Sequence, residues 1–151
     1  MKKYYLAYGS NLNLQSMHIR CNDSKFIDTA KIMDYRLVYK GIANYRAYLT
    51  IEKAPGFYVP IGIYEISDKD EKLLDYYEGV PIFYYKHRMF VDKIHSHALI
   101  YIMNNDYDYY LPTNSYINEC KQGYNDMGFE QELLDQALNY TKTKQFTKKL
   151  S

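Results

Sequence analysis

The sequence is poor in cysteine, carries no excess charge of either sign and contains no long apolar run. Only Cys21 and Cys120 are present, too few for a disulfide framework, so we expect reduced thiols in a cytoplasmic protein. The 19 Lys and Arg residues balance 18 Asp and Glu residues, which argues against nucleic acid or an anionic membrane as a partner. No apolar run approaches the ~20 residues of a membrane-spanning helix, and the one near the N-terminus is too short for a signal peptide.

Aromatic residues, by contrast, are abundant. The chain holds 20 Tyr and 6 Phe among 151 residues, which excludes intrinsic disorder and is sufficient for one buried core. The chain shows no repeat and no linker, so we assign residues 1–141 to a single domain. Residues 142–151 contain four Lys and no acid, and we expect them to form a basic C-terminal tail that frays.

Short runs of aromatic and β-branched residues dominate the first two thirds of the chain. Ala54-Pro55-Gly56 is predicted to form a turn between two of these strands. Six strands of this length do not suit a parallel sheet with crossover helices, so the predicted class is α+β. We expect a small, mostly antiparallel β-barrel with flanking helices. The predicted strands are Lys3–Tyr8, Phe26–Lys40, Ala47–Ile51, Val59–Ile66, Arg88–Ile94 and Ala98–Met103.

Helices are predicted between and after these strands. Asn13 is a suitable N-cap for a short helix after the first strand. Ser67-Asp68-Lys69-Asp70 fits a capping box, which begins a helix that runs to about Tyr77 and stops at Gly79. The last third is helical, with one apolar stripe before a break at Gly128 and a second stripe up to about residue 141.

The first segment that could carry chemistry is Tyr8-Gly9-Ser10-Asn11-Leu12. A strand that ends in Gly-Ser-Asn exposes consecutive backbone N–H groups, and glycine lets the backbone approach a ligand closely. Such N–H groups, followed by a helix N-terminus, form a natural binding site for a carboxylate. The alternative is a plain strand-to-helix turn, which the tripeptide alone favours. The segment matches neither a phosphate-binding loop nor a serine-nucleophile motif.

Glu78 is the second candidate. It lies four residues after Leu74 on the apolar face of the predicted helix, near the C-terminus, where the macrodipole disfavours a negative charge. Both effects raise the pKa of a carboxylate, as a general base that works near neutral pH requires. The alternative, which the spacing alone favours, is a solvated glutamate in the last turn.

Three other features are weaker. His95 and His97 could place two imidazoles near one metal, but no third ligand is evident, so we predict no metal site. Cys120 falls on the apolar stripe of a helix and is expected to be a core residue. Lys86-His87-Arg88 is basic, but strand alternation sends neighbouring side chains to opposite faces, so we predict no nucleic-acid surface.

Taken together, the motifs resemble those of the γ-glutamylcyclotransferase family (AIG2-like). The Tyr8–Leu12 segment follows an N-terminal strand, and Leu74-Asp75-x-x-Glu78-Gly79-Val80 follows about sixty residues later. The resemblance covers about residues 3–140. Further similar segments are Asp34–Leu37 with Gly41, Thr50-Ile51, Pro55-Gly56, Pro60–Gly62, Tyr84–Lys86 and Leu111–Tyr116.

The resemblance implies a β-barrel with flanking helices around a cavity that holds a γ-glutamyl group. In the family pattern, the Tyr8–Leu12 backbone binds the glutamyl end and Glu78 is the catalytic acid/base. Tyr85 and Tyr101 match tyrosines that line the family's pocket. Pro81-Ile82-Phe83 departs from the family's most studied eukaryotic members and would sit beside the leaving group.

The implied reaction is the cyclisation of a γ-glutamyl amide. The α-amine of the substrate is mostly protonated at neutral pH, because the pKa of an α-amino group is about 8. Glu78 would remove that proton, the amine would attack the γ-carbonyl of the same molecule, and Glu78 would return the proton to the departing amine. The products are 5-oxoproline and an amino acid or amine, and the chemistry needs no metal or cofactor.

Two alternatives stay open. One is a noncatalytic barrel that binds a small ligand, and the other is the same chemistry on γ-glutamylamines or another γ-glutamyl metabolite. The acid at Glu78 favours an enzyme, because a noncatalytic member could lose it freely. In each case the expected partner is a small molecule.

Overall fold

The computed structural model describes residues 2–150, which form six strands and four α-helices. The strands are β1 (Lys3–Ala7), β2 (Lys25–Ala43), β3 (Arg46–Ile66), β4 (Tyr84–Val91), β5 (Ser96–Met103) and β6 (Asp108–Tyr109). The helices are α1 (Leu14–Arg20), α2 (Asp68–Tyr77), α3 (Asn114–Met127) and α4 (Glu132–Leu150).

The strands form one curled sheet in the order β4-β5-β1-β3-β2-β6. Neighbouring strands are antiparallel except for β1 and β5, which are parallel. The predicted α+β class, with about six mostly antiparallel strands and flanking helices, is confirmed. The barrel is an open half-barrel, because the last strand, β6, is two residues long and pairs only with Lys40 and Gly41 of β2.

A long hairpin of β2 and β3 replaces three of the predicted strands. The turn predicted at Ala54-Pro55-Gly56 is wrong, because β3 continues through it. The segment instead forms a bulge, where the register shifts between Met33 and Tyr35 of β2. The N–H of Gly56 (φ +87°) donates to Asp34 Oδ1 at 3.0 Å. Turn-forming residues can form a bulge within a strand, instead of a turn, when strand pairing continues on both sides of them.

The edges of the sheet also differ from the prediction. The strand predicted at Arg88–Ile94 begins earlier, at Tyr84, and is followed by a 3₁₀ turn at Asp92–Ile94. The short strand β6 was not predicted, since two residues leave no periodic signal.

The predicted helix caps are confirmed. Ser67 Oγ accepts from the Asp70 N–H at 3.1 Å, and Asp70 Oδ2 accepts from the Ser67 N–H at 3.2 Å, which completes the capping box of α2. Asn13 Oδ1 accepts from the Ser16 N–H at 3.0 Å at the start of α1. α3 ends at Gly128, which has a φ of +74°.

The basic C-terminal segment is helical, since α4 continues to Leu150, and its fraying stays a prediction. Gln145 Nε2 donates to Asn44 Oδ1 at 2.8 Å, and Lys148 pairs with Asp108. These contacts to the β2–β3 turn and to β6 hold the last turns of α4. The division of the chain into a 1–141 domain and a 142–151 tail stays a prediction.

The core joins the central strands to α3 and α4. Leu6, Ile61 and Ile100 are fully buried on β1, β3 and β5, and they pack in one cluster with Tyr124 of α3. Cys120 is also fully buried, as predicted. Within residues 2–150, no helix combines the length and the hydropathy needed to cross a membrane.

Candidate active site

The segment after β1 turns sharply into α1. Ser10–Leu12 forms a 3₁₀ turn, in which the Leu12 N–H donates to Gly9 O at 3.0 Å and the Asn13 N–H donates to Ser10 O at 3.1 Å. Ser10 and Asn11 are buried. Their own backbone N–H groups donate to no other residue in the described chain. These two N–H groups can therefore bind the carboxylate of a ligand.

Side chains from three elements hold this segment in place. Asn11 Nδ2 donates to Tyr5 Oη at 2.9 Å, and the Asn11 carbonyl accepts from Tyr64 Oη at 2.8 Å. Arg20 donates to Asn11 Oδ1 at 2.6 Å and to Ser10 Oγ at 3.3 Å. The backbone N–H groups are thus fixed before a ligand arrives, which lowers the entropic cost of binding.

Helix α3 packs directly against the same segment. A Cβ atom at Gly123 would lie 2.5 Å from the nitrogen of Asn13 and 2.7 Å from the carbonyl carbon of Leu12. Only glycine permits so close an approach of a helix to a backbone segment. One turn earlier on α3, Glu119 Oε2 accepts from Arg20 at 2.9 Å. α3 therefore supports the segment through both backbone packing and an ion pair.

Glu78 lies at the C-cap of α2, where its N–H donates to Leu74 O at 2.8 Å. Its side chain is partly buried and makes no hydrogen bond or ion pair with another described residue. Burial raises the pKa of the Glu78 carboxyl to about 7, and the nearby charge of Arg20 lowers it in part. This carboxyl can take up and release a proton near neutral pH.

Glu78 and the Gly9–Asn11 segment line one cavity of about 270 Å³. This volume suits an amino-acid-sized ligand. Among the described residues that line the cavity, Glu78 has the one charged side chain. The rest of the wall is mostly aromatic and consists of Tyr5, Tyr8, Tyr48, Tyr77, Phe83, Tyr84, Tyr101 and Tyr116, together with Leu6 and Leu49.

Tyr5 and Tyr8 of the cavity wall stay protonated near neutral pH. Burial first, and then the negative charge of Glu78, raise the pKa of Tyr5 and of Tyr8 well above the ordinary value. Tyr8 Oη donates to the Tyr101 carbonyl at 2.6 Å. The titrating group of the cavity near neutral pH is therefore the Glu78 carboxyl.

The structure brings together most of the site residues that the sequence predicts. Glu78, Tyr101, Tyr8 and the Gly9–Asn11 segment line the same cavity. Leu12 does not, since it is fully buried in the core beneath the turn and lies against Gly62 and Gly123. The roles of all these residues in substrate binding stay predictions.

Tyr85 lies outside the cavity wall. On β4 it is 37% exposed, whereas its neighbour Tyr84 is buried, lines the cavity and donates to Leu49 O at 2.8 Å. Alternation along the strand explains the difference, because successive side chains point to opposite faces. The sequence contains both tyrosines but does not show which of them faces inward.

Sequence reasoning missed Arg20 and the tyrosines Tyr5, Tyr77 and Tyr116. Arg20 ends α1, ten residues after Ser10, and its guanidinium also lies 4.1 Å from the centre of the Tyr77 ring. Its place in the last turn of α1 is an ordinary one for a cation, so the local sequence gave no sign of these contacts. Among residues 2–150, no three His, Cys, Asp or Glu side chains cluster in a way that could hold a metal ion.

Comparisons with protein families and with solved structures show which proteins this chain is similar to. The family model described as gamma-glutamyl cyclotransferase, AIG2-like, matches residues 5–119. A solved structure described as gamma-glutamyl cyclotransferase is 22% identical, with a TM-score of 0.75, over 91% of this chain and 86% of that one. An uncharacterized protein from Homo sapiens is 22% identical, with a TM-score of 0.73, over 90% of this chain and 86% of that one. No curated protein sequence matches.

A third structure, YkqA from Bacillus subtilis, is 16% identical, with a TM-score of 0.72, and the match covers 95% of this chain and 55% of that one. At these identities the structures show a shared fold. The family model covers more than half of the chain, and membership of that family indicates a cyclotransferase-like activity. The resemblance found in the sequence is thereby confirmed: the chain belongs to the gamma-glutamyl cyclotransferase, AIG2-like family.

Proposed function

We propose that this protein is an enzyme that cyclises a γ-glutamyl amide to 5-oxoproline and releases an amino acid or amine. One observation carries the proposal: a partly buried carboxyl, Glu78, with a pKa of about 7, lines the same 270 Å³ cavity as the Ser10 and Asn11 backbone. The reaction needs a carboxylate-binding element and a proton acceptor close to each other, and the cavity contains both.

The Ser10 and Asn11 N–H groups bind the α-carboxylate of the glutamyl moiety. This places the α-amine and the γ-carbonyl of the substrate in the aromatic part of the cavity. Tyr8 and Tyr84 are buried there, whereas Tyr48 is 40% exposed and marks the open side. The glutamyl group thus occupies the closed end, and the leaving group points toward the open side.

Glu78 acts first as a base and then as an acid. It takes a proton from the α-ammonium group, and the freed amine nitrogen forms a bond to the γ-carbon. Glu78 returns the proton to the leaving nitrogen as the bond from the γ-carbon to that nitrogen breaks. The ring nitrogen still carries one proton more than an amide, and it passes that proton through Glu78 to the released amine, which leaves as an ammonium ion. No water is consumed, and no electron is gained or lost. Such chemistry proceeds without a metal or a cofactor, so activity should persist in the presence of EDTA.

The residues beside the open side set the choice of leaving group. Phe83 lines the cavity, and Ile82 is 77% exposed next to it. These residues belong to the Pro81–Phe83 segment in which the chain departs from the family pattern. γ-Glutamylamines are therefore a second substrate class to test beside γ-glutamyl amino acids.

The test is a panel of γ-glutamyl amino acids, glutathione and γ-glutamylamines, with 5-oxoproline measured by mass spectrometry. Release from at least one compound supports the proposal, and the best compound identifies the leaving group. The alternative, a noncatalytic binding barrel, predicts no release from any compound but a shift of the Ser10 and Asn11 amide resonances on titration with 5-oxoproline. Cytoplasmic location is part of the proposal, and the buried, unpaired thiols of Cys21 and Cys120 are consistent with it.

A further inference from the structure

Arg20 contacts the side chains of the Ser10–Asn11 turn, which is proposed to bind the carboxylate. It donates to Asn11 Oδ1 at 2.6 Å and to Ser10 Oγ at 3.3 Å, so it binds the side chains of both residues whose N–H groups face a ligand. It does not itself line the cavity. Any effect that it has on a ligand therefore passes through Ser10 and Asn11 or through its charge.

The charge balance of the cavity makes this cation important. Among the described residues that line the cavity, Glu78 has the one charged side chain, and that charge is negative when the carboxyl ionises. A γ-glutamyl substrate brings a second carboxylate into the same small space. Two carboxylates in a partly buried cavity repel each other, and a nearby cation offsets the repulsion.

The position of Arg20 suits it to that task. Its guanidinium lies 4.1 Å from the centre of the Tyr77 ring, next to Glu78 in the chain, and its charge lowers the pKa of the Glu78 carboxyl. Glu119 accepts from Arg20 at 2.9 Å and also from Ser16 Oγ at 2.6 Å. Glu119 thus aims the guanidinium at the turn while it neutralises part of its charge.

We propose that Arg20 is a positioning residue that makes the site select ligands with an α-carboxylate. It orients the Ser10 and Asn11 backbone through their side chains and supplies the positive charge that a bound carboxylate needs. This inference rests on the proposed function, because it assigns Arg20 to the glutamyl end of that substrate.

Two variants separate this role from a purely structural one. Arg20→Gln removes the charge and keeps a side chain that can donate hydrogen bonds. Glu119→Gln removes the negative charge of the ion pair but keeps a side-chain oxygen that can accept from Arg20, so the guanidinium stays beside the turn. If the charge of Arg20 matters, the two variants have different effects; if Arg20 only joins α1 to α3, they have the same effect. Arg20→Lys keeps the charge and serves as the rescue variant.

The primary measurement is the dissociation constant of 5-oxoproline for the wild type and the three variants, by NMR titration. Arg20→Gln should weaken binding on the order of 10- to 100-fold, because the turn loses side-chain contacts that orient its N–H groups and the cavity loses the nearby positive charge that offsets the carboxylate. Glu119→Gln should change binding by no more than about threefold, and Arg20→Lys should recover part of the loss. Thermal unfolding of each variant checks that it is folded.

The second measurement compares two substrates that share one leaving group: a γ-glutamyl amide and the matching 4-aminobutyryl amide, which lacks the α-carboxylate. The latter cyclises to 2-pyrrolidinone by the same bond changes. At a pH at which Glu78 is ionised in both proteins, Arg20→Gln should lower kcat/KM for the γ-glutamyl amide and leave that for the 4-aminobutyryl amide within about threefold of the wild type, so that selectivity falls.

The outcomes are distinct. The inference is overturned if Arg20→Gln and Glu119→Gln weaken the binding of 5-oxoproline equally. It is also overturned if Arg20→Gln leaves the dissociation constant unchanged, or if the wild type does not bind 5-oxoproline. Wild-type protein that binds 5-oxoproline but releases it from no γ-glutamyl amide overturns the proposed function instead. The binding comparison still decides the role of Arg20 in that case.

Discussion

The phenolic O–H of Tyr101 donates to Asp75 Oδ1 at 2.6 Å, which ties β5 to the helix that carries Glu78. Lys86 of β4 binds the other oxygen of the same carboxylate at 2.9 Å. Asp75 thus joins two strands of the sheet to α2, three residues before Glu78. Because Tyr101 also lines the cavity, this contact fixes the cavity wall and α2 relative to each other.

Tyr101→Phe removes the hydrogen bond but keeps the ring. The free energy of unfolding should fall by about 1–2 kcal/mol, since the charged Asp75 carboxylate loses a nearly buried hydrogen-bond donor. Urea unfolding measures this change. Tyr76→Phe on α2 is the matched control, because Tyr76 is 89% exposed, and its free energy of unfolding should not change. Equal stability of Tyr101→Phe and the wild type would show that the contact stabilises nothing.

Glu78→Gln keeps the shape of the side chain and removes the proton acceptor. Turnover should fall by about 10²–10⁴-fold or more, which is the usual contribution of general acid–base catalysis. Binding of 5-oxoproline should change far less, because the Ser10 and Asn11 N–H groups are proposed to hold the carboxylate. The rate of 5-oxoproline release and the dissociation constant of 5-oxoproline together check this prediction.

Glu132→Gln is the control for that variant. Glu132 is exposed in the first turn of α4, outside the cavity lining. Asp75 would be a poor control, because its carboxylate holds Tyr101. Turnover of Glu132→Gln should equal that of the wild type. If Glu78→Gln also releases 5-oxoproline at the wild-type rate, Glu78 is not the base.

Local signals in the sequence were sufficient to identify the Gly9–Asn11 turn, the helix caps and the position of Glu78 at a helix end. Gly9-Ser10-Asn11 after a strand and Ser67–Asp70 before a helix are short motifs, and their geometry depends on neighbouring residues alone. Glu78 could be identified because helical spacing from Leu74 and the helix end both act within one turn. In each case the cause lies within a few residues of the effect.

The features that the sequence did not show depend on contacts between distant residues. β3 continues through the turn-forming residues Ala54–Gly56 because it pairs with β2 on both sides of them. Tyr84 rather than Tyr85 faces the cavity because pairing with β5 sets which face points inward. Arg20 reaches Glu119 across 99 residues of chain, and no local pattern encodes that contact.

The raised pKa of Glu78 predicts the pH dependence of activity. kcat/KM should rise with pH through about 7 as Glu78 loses its proton. It should fall again above about pH 8, where the α-amine of the substrate loses its own proton. Initial rates measured between about pH 5 and pH 10 give the profile. If kcat/KM instead rises with pH near the ordinary pKa of a glutamate, the assignment of Glu78 as the base is contradicted.

The same carboxyl makes stability depend on pH. Its pKa is about 7 in the folded protein and near 4.5 in the unfolded chain, so the folded state binds the proton more tightly. Stability therefore falls by roughly 3 kcal/mol as the pH rises from about 4.5 to about 7, and it is level above that. The Glu78→Gln variant has no carboxyl at this position, so it should not lose stability in this way as the pH rises. Urea unfolding at pH 8 should show the variant more stable than the wild type, and at pH 4 the difference should vanish.

Gly123→Ala tests whether α3 positions the carboxylate-binding turn. The added Cβ would lie 2.5 Å from the Asn13 nitrogen and 2.7 Å from the Leu12 carbonyl carbon, so backbone must move. We expect a loss of stability of about 1–3 kcal/mol and a larger KM, because the Ser10 and Asn11 N–H groups shift with the turn. Gln122→Ala, on the exposed side of the same helix, should leave the KM unchanged. A stable Gly123→Ala protein with a wild-type KM would show that the turn keeps its place without α3.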